Sequence, residues 1–287
     1  MSQAISLRLQ DYRALFELAG ECRDLGDNNP LWQRHFLSRV ARLVGSEVAL
    51  GGELAGISTG QPRDIGIPVD RGFENGFNIA GWVRALELIR TDPTYSPVIF
   101  RYLKTASYER GTAMRRSDLI TSAEWERSPE FDEVHKVCGV DHNMGCFRLI
   151  PGQTDEIVGA YFLRSAGRPD FSGRERLLVQ EAIGVIAPML GGTLSRISEP
   201  SPMELAPRVR QVLKCLLEGD GDKQIAKRLN IGVHTVNQYG KTIFRHFRVR
   251  SRAELLARWI KRGWGGGCSW AADPRPLISP RTRPGSA

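Results

Sequence analysis

The sequence has little of what would anchor it in a membrane or brace it with covalent links. Its longest strongly apolar stretches, Ile157 to Leu163 and Ala182 to Leu190, fall well short of the ~20 residues a bilayer-spanning helix needs. The opening Met1-Ser2-Gln3-Ala4-Ile5-Ser6-Leu7-Arg8 has no basic start followed by an apolar core. No signal peptide and no membrane partner are therefore expected, and the expected location is cytoplasmic. Five cysteines (Cys22, Cys138, Cys146, Cys215, Cys268) are odd in number, scattered and without a Cys-x-x-Cys, which argues against a disulfide framework or a zinc knuckle. His135, His142 and Cys146 lie near one another in sequence but lack a fourth ligand at any familiar spacing. Neither metal nor cofactor is expected.

What is present is ordinary globular composition, 41% hydrophobic and 25% charged, so wholesale disorder is excluded. A chain of 287 residues exceeds one typical domain, and two are expected. The charge divides the same way. Residues 1–199 carry 23 Lys and Arg against 26 Asp and Glu, a net −3, whereas residues 200–287 carry 17 against 6, a net +11. A strongly basic segment after an acidic body calls for a polyanion; the charge alone fits nucleic acid or acidic lipid.

The boundary falls at Ser198-Glu199-Pro200-Ser201-Pro202, a Pro/Ser linker spanning 198–204. Before it, helix from Leu31 onward (Phe36, Val40, Leu43, Val44), strands at Val48-Ala49-Leu50 and Ile65 to Val69, and helix from Ile79 to Ile89 follow from hydrophobic periodicity. Met144 to Ile150 and Ile157 to Arg164 flank a Pro151-Gly152 turn as an antiparallel pair. Ser172-Gly173-Arg174-Glu175 is a capping box that opens a long helix expected to reach Ile197 with a kink at Pro188. Residues 1–197 are thus an α+β domain with a single antiparallel sheet and flanking helices. Residues 205–264 are all-α with four helices, and 265–287 is a Gly/Pro/Arg tail expected to be disordered.

In the basic segment, Val209, Val212, Leu213, Leu216 and Leu217 form one helical stripe ended by Gly219. Asp222 to Leu229 is a shorter helix, Asn230-Ile231-Gly232 a turn, and Val233 to Phe247 a third helix. Ser251-Arg252-Ala253-Glu254 is a second capping box. Two short helices joined by a tight turn inside a basic segment match the helix-turn-helix unit. On the third helix Val236, Tyr239, Ile243, Phe244 and Phe247 take the core side, while His234, Asn237, Gln238, Lys241 and Arg245 lie opposite. An amide pair and a lysine at i, i+1 and i+4 are base-reading chemistry, Asn or Gln to adenine and Lys to guanine. A solvated face on a small bundle is the bland alternative, and turn, spacing and charge together favour DNA.

Leu205-Ala206-Pro207-Arg208, Lys223-Gln224-Ile225-Ala226-Lys227-Arg228-Leu229, His234-Thr235-Val236 and Val249-Arg250-Ser251-Arg252-Ala253-Glu254-Leu255 resemble the LuxR-type DNA-binding domain of bacterial transcription regulators. The resemblance covers about Leu205 to Gly263. It implies base contacts from Asn237, Gln238 and Lys241, and phosphate contacts from Lys223, His234, Thr235 and Arg245. It also implies dimerisation through the fourth helix, with Leu255, Leu256, Trp259 and Ile260. Against the family pattern, Asn237 replaces Lys or Arg, Tyr239 replaces His, and Arg248 replaces a Gly. Val209 and Gln211 replace two acidic residues, and Gly240 lies inside the recognition helix. The body before the linker resembles GAF/PAS-like sensor domains at Tyr161-Phe162-Leu163-Arg164 and Phe171-Ser172-Gly173-Arg174-Glu175. Asp92-Pro93 and scattered Trp and Tyr residues are the trace of an acyl-homoserine-lactone receptor, although such aromatics are more often core.

Two catalytic patterns are set aside. Gly56-Ile57-Ser58-Thr59-Gly60 satisfies the spacing of a nucleophile elbow, but Pro62 and a strand follow where a helix is required. Gly240-Lys241-Thr242 resembles the end of a phosphate loop, but Thr235 stands where the first glycine belongs and the segment is helical. No catalytic residue is expected. The reading is a homodimeric, sequence-specific transcription regulator that binds double-stranded DNA and is controlled by an N-terminal sensor or protein-interaction domain, with RNA polymerase and a small-molecule ligand of that domain as candidate partners; the alternative is a hydrolase using Ser58 with a basic localising segment.

Overall fold

The computed structural model describes residues 5–60, 62–73, 77, 79–196 and 200–261. Five antiparallel strands, β1 (Val48–Ala55), β2 (Arg63–Arg71), β3 (Thr112–Arg115), β4 (Val140–Leu149) and β5 (Glu156–Ser165), pair in the order β2-β1-β5-β4-β3. Around them lie α1 (Leu9–Asp24), α2 (Asn29–Val44), α3 (Ile79–Thr91), α4 (Pro97–Thr105) and α8 (Gly173–Ile186). Three shorter helical turns, α5 (Arg116–Leu119), α6 (Ser122–Trp125) and α7 (Lys136–Cys138), join α4 to β4 by way of β3. The chain then forms α9 (Pro207–Glu218), α10 (Asp222–Leu229), α11 (Val233–His246) and α12 (Arg252–Lys261). A single-sheet α+β domain followed by an all-α helix-turn-helix bundle is the fold class expected from sequence.

Local chemistry sets the helix ends. Asn28 caps α2 by accepting from the Leu31 amide at 3.2 Å, and Gly45 closes it in the left-handed region at φ 62°. The Ser172–Glu175 box is formed in full. Ser172 Oγ accepts from the Glu175 amide at 3.2 Å, and the Glu175 carboxylate accepts from the Ser172 amide at 2.6 Å.

Strand alternation sends residues to two opposite faces. Met144, Cys146, Val158, Ala160 and Phe162 share one core with Trp32, Phe36, Val40, Leu178 and Ile183, so α1, α2 and α8 cover that face. The opposite face carries Leu50, Leu54, Ile157, Tyr161 and Phe147, with Gly52, Gly145 and Gly159 among them, and lies under α3 and α4. The ring of Phe147 occupies the place a Gly159 side chain would take, since a Cβ there would lie 2.2 Å from its Cδ1.

The structure corrects the expected long helix. α8 stops at Ile186, a 3-10 turn spans Ala187–Met189 around Pro188, and Leu190 bridges to Leu194. Pro188 lacks an amide hydrogen to continue the helix, so the pattern ends there rather than kinks. Arg196 then anchors the chain to the sheet, donating to the buried Glu53 at 2.7 Å. Residue 197, residues 198–199 of the linker, and the 265–287 tail lie outside the described residues. α1, α4 and β3 were not expected from sequence.

The two halves touch along α3. Val83 is buried within the same cluster as Val209, Val212 and Leu213 of α9, and Leu86 packs against it. Arg210 of α9 is buried and forms an ion pair with Glu87 of α3. Burial lowers the Arg210 pKa to about 10, which still leaves the guanidinium charged at neutral pH beside Glu87. The described part of the linker is docked too, because His246 Nε2 lies 2.9 Å from the Ser201 carbonyl and Arg63 lies 4.0 Å from Glu204. Glu87→Ala leaves a buried guanidinium without its carboxylate, and such stranding costs about 3–5 kcal/mol. Chemical denaturation of the full chain should show a loss of that order, most of it recovered in the double variant Glu87→Leu with Arg210→Met.

Candidate nucleic-acid interface

The bundle is built around α9, whose residues Val209, Val212, Leu213 and Leu216 meet Ile225 and Ala226 of α10, Val236 and Ile243 of α11, and Leu255 and Trp259 of α12. The turn between α10 and α11 has the geometry its sequence calls for. Asn230 adopts the left-handed conformation at φ 52°, ψ 53°, which an asparagine tolerates, and the Ile231 amide returns to the Ala226 carbonyl at 3.0 Å. Gln224 caps the start of α10 by accepting from the Gly221 amide at 2.7 Å. At the start of α12, Ser251 Oγ accepts from the Glu254 amide at 3.2 Å.

Val236 and Ile243 turn α11 inward, and the residues between them follow the helical period outward. His234, Asn237, Gln238, Lys241 and Arg245 are all exposed, Thr235 is half-buried, and Lys223 is exposed on the first turn of α10. The Gln238 side-chain amide donates to His234 Nε2 at 3.1 Å, one helical turn back, which requires the imidazole protonated at Nδ1. That contact orients Gln238 while leaving its carbonyl and second amide hydrogen for another partner. Of the seven residues that sequence reasoning singled out for DNA, six therefore share the outward side of α11, Thr235 among them half-buried, and Lys223 is exposed on α10.

The cations of this segment fall into two groups. Arg228 bridges Glu218 at 2.5 Å and Asp220 at 2.8 Å, Arg252 donates to the carbonyls of Asp220 and Leu216, and Arg258 donates to the Phe247 carbonyl at 2.6 Å. The two carboxylates raise the Arg228 pKa further. These arginines hold the bundle together. Among the described residues, Lys223, Lys241 and Arg245 form no ion pair, so their charge faces outward.

The fourth helix divides its apolar residues between the bundle and the surface. Leu255 is fully buried and Trp259 is 4% exposed, its ring packed edge-on to Phe247 at 5.6 Å, whereas Ile260 is 76% exposed and Leu256 half-buried. The bundle thus absorbs Leu255 and Trp259 itself and leaves Ile260 as the outward apolar residue.

Residues 203–258 match the family described as bacterial regulatory proteins, luxR family. This segment is a luxR-family helix-turn-helix domain. Over the longer chain, solved structures give distant likenesses. Escherichia coli SdiA is 14% identical over 88% of this chain and 97% of its own, with a TM-score of 0.40. The VqsR LBD domain from Pseudomonas aeruginosa is 10% identical over 62% of this chain and 96% of its own, with a TM-score of 0.38. No curated protein matches the chain.

Other residues considered from sequence lie elsewhere. Ser58 sits in the turn joining β1 to β2, where Asp155 accepts from the backbone amides of Gly56 at 2.9 Å and Ser58 at 2.7 Å. A strand-turn-strand connection lacks the helix a nucleophile elbow needs. Asp92 is exposed and caps the short turn Pro93–Tyr95 by accepting from the Thr94 amide at 2.9 Å. His135 is held between Trp82 and Trp125, with ring centroids 4.9 and 4.5 Å away. What sequence reasoning missed is a cavity of about 180 Å³ under α3 and α4. The glycines at 52, 145 and 159 inside strand patterns were its available signal.

Two departures from the family pattern carry measurable consequences. Arg248 stands in the left-handed region at φ 53°, where a side chain costs roughly 1–2 kcal/mol and a glycine does not. A Cβ on Gly240 would meet nothing within 4 Å, so alanine fits the helix there. Arg248→Gly and Gly240→Ala should each stabilise the bundle by about 1 kcal/mol, measured as a rise in the denaturant midpoint with an unchanged slope.

Proposed function

We propose that the chain is a sequence-specific transcription regulator. In this reading residues 205–264 bind double-stranded DNA, residues 1–197 sense a signal, and residues 198–204 join them. The observation that carries it is the exposed face of α11, where Asn237, Gln238 and Lys241 project together, while Arg228, Arg252 and Arg258 are spent on contacts within the bundle. Inserted in the major groove, these three side chains reach base edges, and Lys223, His234, Thr235 and Arg245 flank them towards the phosphates. Bound as a dimer on two half-sites, the protein acts on transcription through RNA polymerase, by recruiting it or by blocking it. A hydrolase using Ser58 finds no support in the turn that holds it.

The sensor role rests on α3. Trp82, Leu86 and Ile89 line the cavity, and Val83, Leu86 and Glu87 of the same helix meet α9. A molecule that shifts this helix changes the orientation of the DNA-binding bundle. His234, Asn237, Gln238, Lys241 and Arg245 stay exposed with the bundle docked, so the proposed reading face is open.

Dimer contact is assigned to the outward side of α12, Ile260 with Leu256. Trp259, buried against Phe247, supports the bundle from inside.

Base and phosphate contacts separate in a binding assay. Lys241→Ala and Gln238→Ala should each cost about 1–3 kcal/mol on the specific operator and relax its sequence preference, whereas Lys223→Ala should weaken all sequences evenly and flatten the salt slope by about one. Equal loss on specific and random DNA for the first two would remove them from base reading. In a second assay, Ile260→Glu should weaken binding to a two-half-site operator far more than to one half-site, with the thermal midpoint unchanged. Trp259→Glu should instead lower the midpoint.

A further inference from the structure

Helices α3 and α4 do not fill the second face of the sheet. The cavity they leave, about 180 Å³, is walled chiefly by carbon, including Leu50, Leu54, Ile89, Ile99 and Ile157. An apolar cavity of roughly 150 Å³ accepts a benzene-sized guest, so this space suits a molecule of about ten non-hydrogen atoms.

One part of the wall is polar and unsatisfied. Trp82 is 4% exposed and Glu130 1% exposed, both line the cavity, and neither Trp82 Nε1 nor Glu130 Oε2 has a hydrogen-bond partner. The hydroxyls of Tyr161 and Tyr108, both on the wall, lack one as well, and so do both ring nitrogens of the adjoining His135. Trp82, Tyr161, His135 and Glu130 are neighbours: the rings of Trp82 and Tyr161 are 6.5 Å apart, and His135, 4.9 Å from Trp82, brings its Nε2 to 3.5 Å from the other Glu130 oxygen. Glu130 and His135 also bracket a π-helical turn, Phe131–His135, a rare conformation found often at functional sites. Buried polar groups are ordinarily paired, so an unpaired cluster on a cavity wall offers hydrogen-bonding atoms to a guest.

The chemistry of the three groups selects that guest. The carboxylate only accepts, the indole only donates, and the phenol does either. Burial, and next the nearby charge of Glu130, push the Tyr161 hydroxyl well above its ordinary pKa, so it stays protonated. A hydroxyl head donates to Glu130 and accepts from Trp82 or Tyr161. An ammonium donates to Glu130 and Tyr161 but leaves the indole of Trp82 unpaired, and a carboxylate head is repelled by Glu130. We propose that this cavity binds a small, largely apolar alcohol, its hydroxyl held by Glu130, Trp82 and Tyr161. The proposal deepens the sensor reading and rests on it.

The test uses four molecules with one body and different heads: 2-phenylethanol, phenethylamine, phenylacetate and ethylbenzene. Each is titrated into the full-length protein by calorimetry and by tryptophan fluorescence, with operator binding measured in parallel. The expected order places 2-phenylethanol at least tenfold tighter than ethylbenzene and phenylacetate. Equal affinity for ethylbenzene, tighter binding of phenethylamine, or no binding of any probe would each overturn the proposal. Glu130→Gln keeps the shape and removes the charge, so discrimination against phenylacetate should vanish, and its persistence would count against Glu130. Because the head series runs on the native protein, it stands even if that variant misfolds. Operator binding by a protein that takes no probe would sink the alcohol site and leave the DNA reading intact, while the reverse result would sink the DNA reading.

Discussion

A sheet that is apolar on both faces has to be covered twice, and the rest of this molecule follows from how unequally that is done. On one side α1, α2 and α8 supply large side chains such as Trp32, Phe36 and Ile183, which are buried against the sheet. On the other side glycines in β1, β4 and β5 remove side chains where α3 and α4 cross. Phe147 leans over Gly159 and Tyr161 over Gly145, and the space beyond their rings stays open. The cavity is therefore a consequence of residue placement in the strands and not of a loose fit between helices.

The same α3 that roofs this space is the surface against which the DNA-binding bundle rests. Its inner residues meet the cavity, its outer residues meet α9, and Leu86 takes part in both. The buried Arg210 guanidinium faces the Glu87 carboxylate, so the contact has a defined orientation that a purely apolar patch would lack. A helix engaged on both sides ties the cavity wall and the docked bundle to one rigid element.

In the bundle, charge is divided by role. Arg208, Arg228, Arg252 and Arg258 spend their hydrogen bonds on carbonyls and carboxylates of neighbouring helices, whereas Lys223, Lys241 and Arg245 point to solvent. Net charge alone overstates the field available to a nucleic acid, because part of it is neutralised within the fold.

Much of the architecture was legible in the residues alone. The α10 boundaries, the Asn230 turn, the Ser172–Glu175 cap and the β4–β5 pairing all depend on neighbours a few residues apart or on a turn between adjacent strands, and short-range chemistry determines such features. The outward set on α11 was equally readable, because helical periodicity alone separates it from Val236 and Ile243. Sequence could not tell that Trp259 is spent inside its own bundle while Ile260 is not, since both look apolar until Phe247 is placed beside one of them. Nor could it find the cavity, the Glu87–Arg210 pair or the cluster of Trp82, Glu130 and Tyr161. Their members lie tens of residues apart or more and meet only when the sheet pairs β1 with β5 and α3 folds across it. Burial is a property of the assembled layers, so the residues that depend on it were decided by tertiary structure alone.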